Sequence, residues 1–316
     1  MQAVALNLFP ESTSLRRPDA GDVPARARAG VEYFEMDVRS ALNRTDSPHL
    51  SFAHSINPYR GCEFGCTFCY ARYTHGFFDL NRWQDFEQKI FVKRNAARAL
   101  ERALKSQELS GQPIAIGTVT DPYQPAERHF GVTRSLLQVL EKASGLEISI
   151  TTRSPLILRD LELLTRLDAR NSVTVNVSLT TVDDRIARRL EQKAPDPESR
   201  LRVVRVLASE SLATRIFCMP ILPGLNSTEA QLRPLFEAAA EYEAEDVAGS
   251  PLFLRPAARA RFWPWLEREF PQLVSRYRSL YGERDYLADS QKERLMAPFE
   301  ALRLAYGFPR RMSGRG

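Results

Sequence analysis

Short apolar runs rich in β-branched residues recur along the chain and are separated by longer segments of helical periodicity. Six such runs predict buried strands near residues 52–57, 113–117, 146–151, 173–179, 214–219 and 250–254. The intervening segments that place apolar residues at the spacing of amphipathic helices include 92–105, 136–140 and 156–167. Asn226 followed by Glu229 predicts a capping box that opens a further helix ending near Tyr242.

This alternation of strand and helix predicts an α/β fold built on a parallel sheet with right-handed crossovers. Six β/α units ending near Leu254 fit either an open doubly wound sheet or an incomplete barrel. In both architectures the functional residues gather at the carboxyl ends of the strands.

The pattern also divides the chain into three parts. Residues 1–30 are rich in Pro, Ser, Asp and Arg without apolar periodicity, which predicts a mobile arm. The core is expected over 31–255, and 256–316 is expected to form a helical extension with a basic tail. We expect the aromatic cluster of that extension to pack against the core rather than stack on bases; it consists of Phe262, Trp263, Trp265 and Phe270.

Composition narrows the class of protein. The 316 residues are 43% hydrophobic and 26% charged, as in ordinary folded domains. No apolar run approaches the roughly 20 residues that a bilayer requires, so no membrane span is expected. The N-terminus lacks the basic and apolar regions of a secretion signal, and we therefore expect a cytoplasmic protein.

The positive charge is concentrated near the C-terminus. The whole chain carries 44 Lys and Arg against 39 Asp and Glu, whereas residues 255–316 carry 13 against 7. A solvated helical surface with an arginine-rich tail explains this excess. A patch that attracts nucleic acid explains it equally, and the charge alone does not decide.

Three of the four cysteines lie within eight residues, as Cys62-x3-Cys66-x2-Cys69, directly after the first predicted strand. Three thiolates this close would repel each other, so their clustering favours a bound soft cation. A structural zinc ion is one alternative and a disulfide with a free thiol is another. The residues available to complete a zinc site are His54, His75 and Cys218. On a four-iron cluster, three cysteines would leave one iron free for a substrate or cofactor.

The cysteine motif, with Phe68 before its third cysteine, resembles the signature of the radical S-adenosylmethionine (SAM) enzymes. Three flanking motifs resemble the branch that includes spore photoproduct lyase and DNA repair photolyase-like proteins, and the similarity extends over about 31–308. These motifs are Asn57-Pro58-Tyr59-Arg60-Gly61-Cys62, Gly117-Thr118-Val119-Thr120-Asp121-Pro122-Tyr123-Gln124-Pro125 and Pro220-Ile221-Leu222-Pro223-Gly224-Leu225-Asn226.

The resemblance implies a partial (β/α)6 barrel with a C-terminal helical extension and a [4Fe-4S] cluster held by Cys62, Cys66 and Cys69. It further implies that the free iron chelates the amino and carboxylate groups of SAM. A reduced cluster would then cleave SAM to methionine and a 5′-deoxyadenosyl radical, which removes hydrogen from a substrate. A reductant protein such as a flavodoxin or ferredoxin is the implied partner, and a nucleic acid is a candidate substrate.

Polar residues that follow the predicted strands are candidate SAM contacts. Thr120 and Asp121 follow the second strand, where a carboxylate can accept from the ammonium group or a ribose hydroxyl. Arg153 follows the third strand and could fork onto the SAM carboxylate. Ser178 ends the fourth strand at the same rim.

Phe68 and Tyr70 are the nearest aromatic candidates for a wall beside the adenine.

The chain departs from the family pattern at the residue that returns a hydrogen atom to the substrate. The best-known spore photoproduct lyases carry a cysteine for this purpose at the end of the second strand, where this chain has Thr118. Repair of the spore photoproduct is therefore in doubt. Cys218 is the remaining thiol, and packing is its simpler role.

Two alternatives to a nucleic-acid-modifying radical enzyme stay open. One is a zinc-stabilised nucleic-acid-binding protein without enzymatic activity. The other is a radical SAM enzyme that acts on a peptide or small molecule.

Overall fold

The computed structural model describes residues 26–28, 30–47, 50–106, 109 and 111–308. Within these ranges the strands are β1 (Arg26–Arg28), β2 (Val31–Met36), β3 (Leu42–Arg44), β4 (His54–Ile56), β5 (Tyr59–Arg60), β6 (Lys89–Lys93), β7 (Ile114–Ile116), β8 (Glu147–Thr152), β9 (Ser172–Ser178), β10 (Ala213–Ile221) and β11 (Asp246–Pro251).

The α-helices of the same ranges are α1 (Asp85–Gln88), α2 (Ala96–Ser106), α3 (Glu127–Phe130), α4 (Val132–Leu140), α5 (Leu161–Asp168), α6 (Asp184–Leu190), α7 (Pro197–Ser209), α8 (Glu229–Glu241), α9 (Pro256–Glu269), α10 (Val274–Tyr281) and α11 (Asp289–Ala305). Short 3-10 helices span Tyr70–Phe78, Pro155–Asp160 and Pro271–Leu273.

The main sheet has seven strands in the order β11-β10-β9-β8-β7-β4-β3. Its first six strands pair in parallel, and β3 pairs antiparallel with β4. The six parallel strands follow one another across the sheet in chain order, whereas a doubly wound sheet reverses direction at a switch point. The α/β prediction is therefore confirmed, and the strand order is that of a partial (β/α)6 barrel.

All six predicted strands are present in this sheet, although the last is displaced. The prediction placed it at 250–254, and the observed strand β11 spans Asp246–Pro251. Asp246 already pairs with Arg215 of β10. At its other end, Pro251 pairs with Ile221, and the N–H of Leu252 donates to the carbonyl of Ile221 at 3.1 Å.

A second sheet, in the order β1-β2-β6-β5, was missed by the sequence analysis. The prediction assigned residues 92–105 to a helix, but β6 extends to Lys93 and α2 begins at Ala96. In β6, Ile90, Phe91 and Val92 are buried by parallel pairing with β2, and this long-range contact overrides the local helical pattern. Of the predicted arm, residues 1–25 and 29 lie outside the described residues, while Arg26–Arg28 pair with β2.

The capping box of α8 lies two residues later than predicted. Thr228 is the N-cap and shares reciprocal hydrogen bonds with Gln231. The Asn226 side chain is used elsewhere: its Nδ2 donates to the carbonyl of Thr180 at 2.7 Å, and its Oδ1 accepts from the N–H of Leu222.

Side chains alternate across the parallel strands and separate an outer core from a polar lumen. On β8, Ile148 and Ile150 are buried among the covering helices, while Ser149 and Thr151 face a cavity on the other side. The same alternation continues on β9 and β10. The sheet therefore positions polar groups on the concave side of the barrel.

The C-terminal helices pack against the cysteine segment. Phe262 and Trp265 are fully buried in a cluster that also contains Cys62 and Cys66. The indole N–H of Trp265 donates to the carbonyl of Arg189 at 2.9 Å. The expectation that these aromatic residues serve packing is confirmed. None of the helices in the described ranges is long and apolar enough to span a bilayer.

Gly117, directly after β7, provides a test of how tightly this rim is packed. Its φ is +89°, and a Cβ atom would lie 2.6 Å from the carbonyl oxygen of Thr151. We expect Gly117→Ala to lower the free energy of unfolding by about 2–5 kcal/mol, because strain and a backbone clash combine. Gly131→Ala is the control, since its φ is +61° with nothing within 4 Å. It should cost about 1 kcal/mol in urea denaturation, and equal losses for the two variants would contradict this account.

Candidate metal and cofactor site

The cysteine segment forms a tight loop between β5 and the 3-10 helix Tyr70–Phe78. Cys62 and Cys66 are buried, Cys69 is half-buried, and all three thiols are free. The N–H of Cys69 donates to the carbonyl of Cys66 at 3.3 Å. Gly61 and Gly65 have φ values of +87° and +67°, which allow the chain to turn on either side of Cys62.

A buried ion pair between Arg72 and Glu87 supports the cysteine loop at Cys66. Arg72 donates to the Glu87 carboxylate at 2.6 Å and to the carbonyl of Cys66 at 2.7 Å. A Cβ atom on Gly65 would lie 3.0 Å from the Glu87 carboxylate. Glycine at position 65 therefore lets the loop approach this pair closely. Neither Arg72 nor Glu87 was identified from the sequence.

Polar side chains after β7 hold the other side of the loop. The Thr120 hydroxyl donates to the carbonyl of Gly61 at 2.6 Å, and the Gln124 amide donates to the same carbonyl at 3.1 Å. The Gln124 carbonyl oxygen accepts from the N–H of Glu63 at 3.0 Å. Thr120, predicted as a SAM contact, thus positions the cysteine loop. Gln124 belongs to the motif that begins at Gly117, and Glu63 lies between Cys62 and Cys66; neither was predicted as a site residue.

Arg153 brings the predicted site residues together. Its guanidinium contacts the Cys66 thiol, donates to the Ser178 hydroxyl at 3.0 Å and lies 3.7 Å from the Glu191 carboxylate. Its backbone N–H donates to Asp121 Oδ2 at 2.8 Å. The side chain is therefore a buried cation between the cysteine loop and the ends of β8 and β9.

Asp121 is engaged by the neighbouring backbone and by β8. Its Oδ1 accepts from the Thr152 hydroxyl at 2.7 Å and from the N–H of Tyr123 at 2.9 Å. Burial raises the pKa of Asp121, and the charge of Arg153 opposes that rise. Its hydrogen bonds fix the chain direction where Arg153 leaves the sheet.

Glu191 supplies the negative charge behind Arg153. It pairs with the buried Arg200, accepts from the Thr180 hydroxyl at 3.2 Å and forms a backbone bridge with Cys66. Burial alone would raise the pKa of Glu191, but the charges of Arg200 and Arg153 together hold it below its ordinary value. Glu191 therefore stays ionised, and a single chain of charges links α7 to the cysteine loop.

All nine residues predicted to bind the metal or the cofactor line one cavity of about 380 Å³. They are Cys62, Cys66, Phe68, Cys69, Tyr70, Thr120, Asp121, Arg153 and Ser178. The Tyr70 hydroxyl donates to the carbonyl of Thr118, and its ring packs on Phe253 with centroids 5.1 Å apart. Phe68 and Tyr70 thus form an apolar wall next to the thiols.

The chemistry of this donor set fits an iron–sulfur cluster. Burial raises the pKa of Cys62 to about 12, with a further contribution from the Asp121 charge, and burial also raises the pKa of Cys66 and Cys69. Ligation to iron requires thiolates, so loading at neutral pH must release protons. The guanidinium of Arg153 offsets part of the resulting negative charge, and its Nε is buried without a hydrogen-bond partner.

The zinc alternative finds no support in the described residues, where no three His, Cys, Asp or Glu side chains converge as ligands of one ion. Cysteines of an iron–sulfur cluster bind different irons, so their sulfurs need not meet at one point. The Nε2–H of His75 donates to the carbonyl of Lys89 at 2.9 Å, and the ring packs between Phe86 and Phe91. It is therefore committed to the core.

Cys218 lies on the outer face of β10, away from the cavity. It is fully buried in the hydrophobic core, and its thiol donates to the carbonyl of Thr180 at 3.4 Å. Thr118 does line the cavity, where its hydroxyl accepts from the Asn57 amide at 3.0 Å. The structure therefore places no spare thiol of the described residues inside the cavity.

Much of the positive charge in the C-terminal extension is neutralised within the protein. Arg303 pairs with Asp246 at 2.8 Å, and Arg259 pairs with Asp285 at 3.4 Å. Arg261 is buried over the Trp83 ring at 4.2 Å. Asp246 lies outside residues 255–316, so its pair with Arg303 offsets part of the charge excess, whereas Asp285 is already counted among the seven acidic residues of that segment.

Comparison with known proteins assigns the chain to a family. The model of the Radical SAM superfamily matches residues 56–232. An uncharacterised protein of Mycobacterium tuberculosis is 34% identical over 307 residues, which cover 93% of this chain and 88% of the relative. An uncharacterised protein of Methanocaldococcus jannaschii is 26% identical over 242 residues, which cover 77% and 85%.

A solved structure of spore photoproduct lyase, complexed with dinucleoside spore photoproduct, shares the fold. It superposes with a TM-score of 0.61 at 14% identity and covers 87% of this chain and 79% of that chain.

The charge chain behind Arg153 predicts a large effect for a small substitution. Glu191→Gln keeps the side-chain shape but leaves Arg153 and Arg200 without their buried counter-charge, and we expect a loss of about 3–5 kcal/mol in the free energy of unfolding. In wild type this stabilisation is present above the ordinary carboxyl pKa of 4.5 and is lost as the pH falls through the lowered value.

The matched control is Glu198→Gln, because Glu198 forms an exposed pair with Arg202 at 3.3 Å. We expect a loss of no more than about 1 kcal/mol for the control, measured by urea denaturation at neutral pH. Similar losses for both variants would show that Glu191 carries no special electrostatic role.

Proposed function

Because the chain belongs to the radical SAM superfamily, it is a radical SAM enzyme that uses a [4Fe-4S] cluster and SAM, and we propose that Cys62, Cys66 and Cys69 hold that cluster. When bound and reduced, such a cluster would supply the one electron needed for reductive cleavage of SAM and hydrogen abstraction from a substrate. The observation that carries this proposal is that Cys62, Cys66 and Cys69 line one cavity together with Asp121, Arg153 and Ser178.

Arg153 binds the carboxylate of SAM in this proposal. Its guanidinium is buried at the cavity wall, has an unpartnered Nε and is planar, which suits a forked contact with a carboxylate. Asp121 and Glu191 hold its backbone and its charged end from two sides. The cation is therefore oriented before the cofactor arrives, which lowers the ordering cost of binding.

The remaining predicted contacts surround this anchor. Asp121 Oδ2 accepts one hydrogen bond from Arg153 and retains acceptor capacity for the ammonium group or a ribose hydroxyl of SAM. Ser178 is within hydrogen-bond distance of the Arg153 guanidinium and adds a hydroxyl at the same rim. Phe68 and Tyr70 provide the apolar wall for adenine and exclude water from the thiols.

In this proposal the substrate enters the same cavity. We infer a hydrogen-atom donor that enters the cavity and retain nucleic acid as a candidate, supported by the shared fold with a lyase solved with a dinucleoside lesion. The internal pairing of Arg303 with Asp246 weakens the charge argument for nucleic acid, so a peptide or small molecule is the second candidate. Reduction of the cluster would require an electron-donor protein such as a flavodoxin or ferredoxin.

Anaerobic reconstitution tests the metal site. Wild type and Cys218→Ala should each take up about four irons per chain with a broad brown absorbance, because Cys218 lies outside the cavity. Replacement of Cys62, Cys66 or Cys69 by serine should abolish stable loading and the formation of 5′-deoxyadenosine after dithionite reduction. Stoichiometric zinc without iron in the wild-type protein would overturn the proposal.

Calorimetry of the iron-loaded protein tests Arg153. Arg153→Glu should weaken SAM binding by at least about 10–100-fold, the worth of one charge-assisted contact, because it replaces attraction by repulsion. Arg153→Lys keeps the positive charge but not the forked guanidinium, and its affinity for SAM should lie between those of wild type and Arg153→Glu. Unchanged SAM affinity in Arg153→Glu, with iron content retained, would remove Arg153 from the binding site.

A further inference from the structure

The barrel lumen below the predicted SAM contacts is lined by small and polar residues instead of the bulky branched side chains that usually fill a barrel. The inward-facing positions that border the cavity include Ala115 on β7, Ser149 and Thr151 on β8, and Asn176 on β9. The outward positions of the same strands are isoleucine and valine. The chain therefore fills its outer core and leaves the concave side open for a ligand.

Three polar residues form a row across this open face. Thr151 of β8 is the register partner of Asn176 of β9, and Asn176 is the register partner of Arg215 of β10. In-register residues of neighbouring parallel strands point to the same side, with the strands about 4.8 Å apart. The row lies two residues before Arg153 and Ser178, or about 7 Å deeper along the strands.

The middle member of the row has an unpaired polar atom. Asn176 is only 4% exposed, and its Oδ1 is buried without a hydrogen-bond partner. Its Nδ2 makes one long contact of 3.4 Å with the Thr151 hydroxyl. An unpaired amide oxygen in a cavity costs free energy unless a ligand donates to it.

The third member is a cation without a counter-ion among the described residues. Arg215 lines the cavity and is solvent-exposed, and no side-chain hydrogen bond or ion pair joins it to another described residue. Its register partner on β11, Asp246, is held by Arg303 at 2.8 Å. Phe217, two residues along β10, adds an aromatic surface to the same cavity.

We propose that this row is the substrate subsite, in which Arg215 binds an oxyanion of the substrate and Asn176 accepts a hydrogen bond from an adjacent N–H or O–H group. The substrate class is thus a molecule that carries a phosphate or carboxylate close to a hydrogen-bond donor. This inference rests on the proposed function, because it assumes that SAM occupies the upper part of the cavity. No bond is made or broken at the subsite, which serves binding and orientation.

Anion binding to the full-length, reconstituted protein tests the subsite. Saturating SAM blocks Arg153, and inorganic phosphate or acetate is titrated at constant ionic strength while the thermal midpoint is followed. We expect a saturable rise in wild type. Preference for phosphate assigns a phosphate ester as the substrate, and preference for acetate assigns a carboxylate.

Arg215→Gln should weaken the preferred anion at least tenfold. Asn176→Asp should do the same, because its carboxylate would pair with Arg215 and compete with the anion. Arg170→Gln is the matched control: Arg170 is exposed in the turn before β9 and does not border the cavity, so this variant should bind like wild type.

Absence of a response to both anions in wild type, or equal binding by Arg215→Gln and wild type, would overturn the proposal. Failure of the proposed function gives a different result, since wild type would then take up no iron or form no 5′-deoxyadenosine. The anion titration is therefore repeated on the protein as purified, so that anion binding is measured separately from iron loading and SAM cleavage. If a protein that loads iron and cleaves SAM shows no anion binding, only the subsite proposal is overturned.

Discussion

The arrangement of charge around the buried guanidinium of Arg153 is the constraint on which the site depends. Burial raises the pKa of Cys62 and Cys66 and so favours neutral thiols, whereas the proposed iron ligation would require them as anions. A cation beside Cys66 lowers the electrostatic cost of that change. The cation is itself stable in the interior only because Asp121 and Glu191 face it.

Each part of the scaffold contributes to this balance. The parallel strands deliver Asp121, Arg153 and Ser178 to one rim because their carboxyl ends lie at the same edge of the sheet. The C-terminal helices bury Trp265 against the cysteine segment and shield that side of the segment from solvent. Small residues such as Ala115 and Ser149 leave the lumen open on β7 and β8, so a polar level lies deeper than the proposed cofactor level near Arg153.

Local patterns predicted the main sheet well and the surroundings of the site poorly. Apolar runs located the six parallel strands of the main sheet, β4 and β7 to β11, but not its antiparallel edge strand β3. They missed β6, where pairing with β2 prevailed over a helical pattern. The capping box was placed at Asn226 because several polar residues precede α8, and only the observed contacts of Thr228 show which one caps it.

The sequence by itself determined the spacing of three cysteines, the order of strands and helices, and the polar residues that follow each strand. These features are local, so neighbouring residues suffice to specify them. Tertiary structure alone decided that Glu191 faces Arg153 and that Cys218 points into the core. Such facts depend on distances between residues far apart in the chain, which are set by how the strands pair and twist. Electrostatic balance is a property of those distances, and for that reason it emerged only in the folded protein.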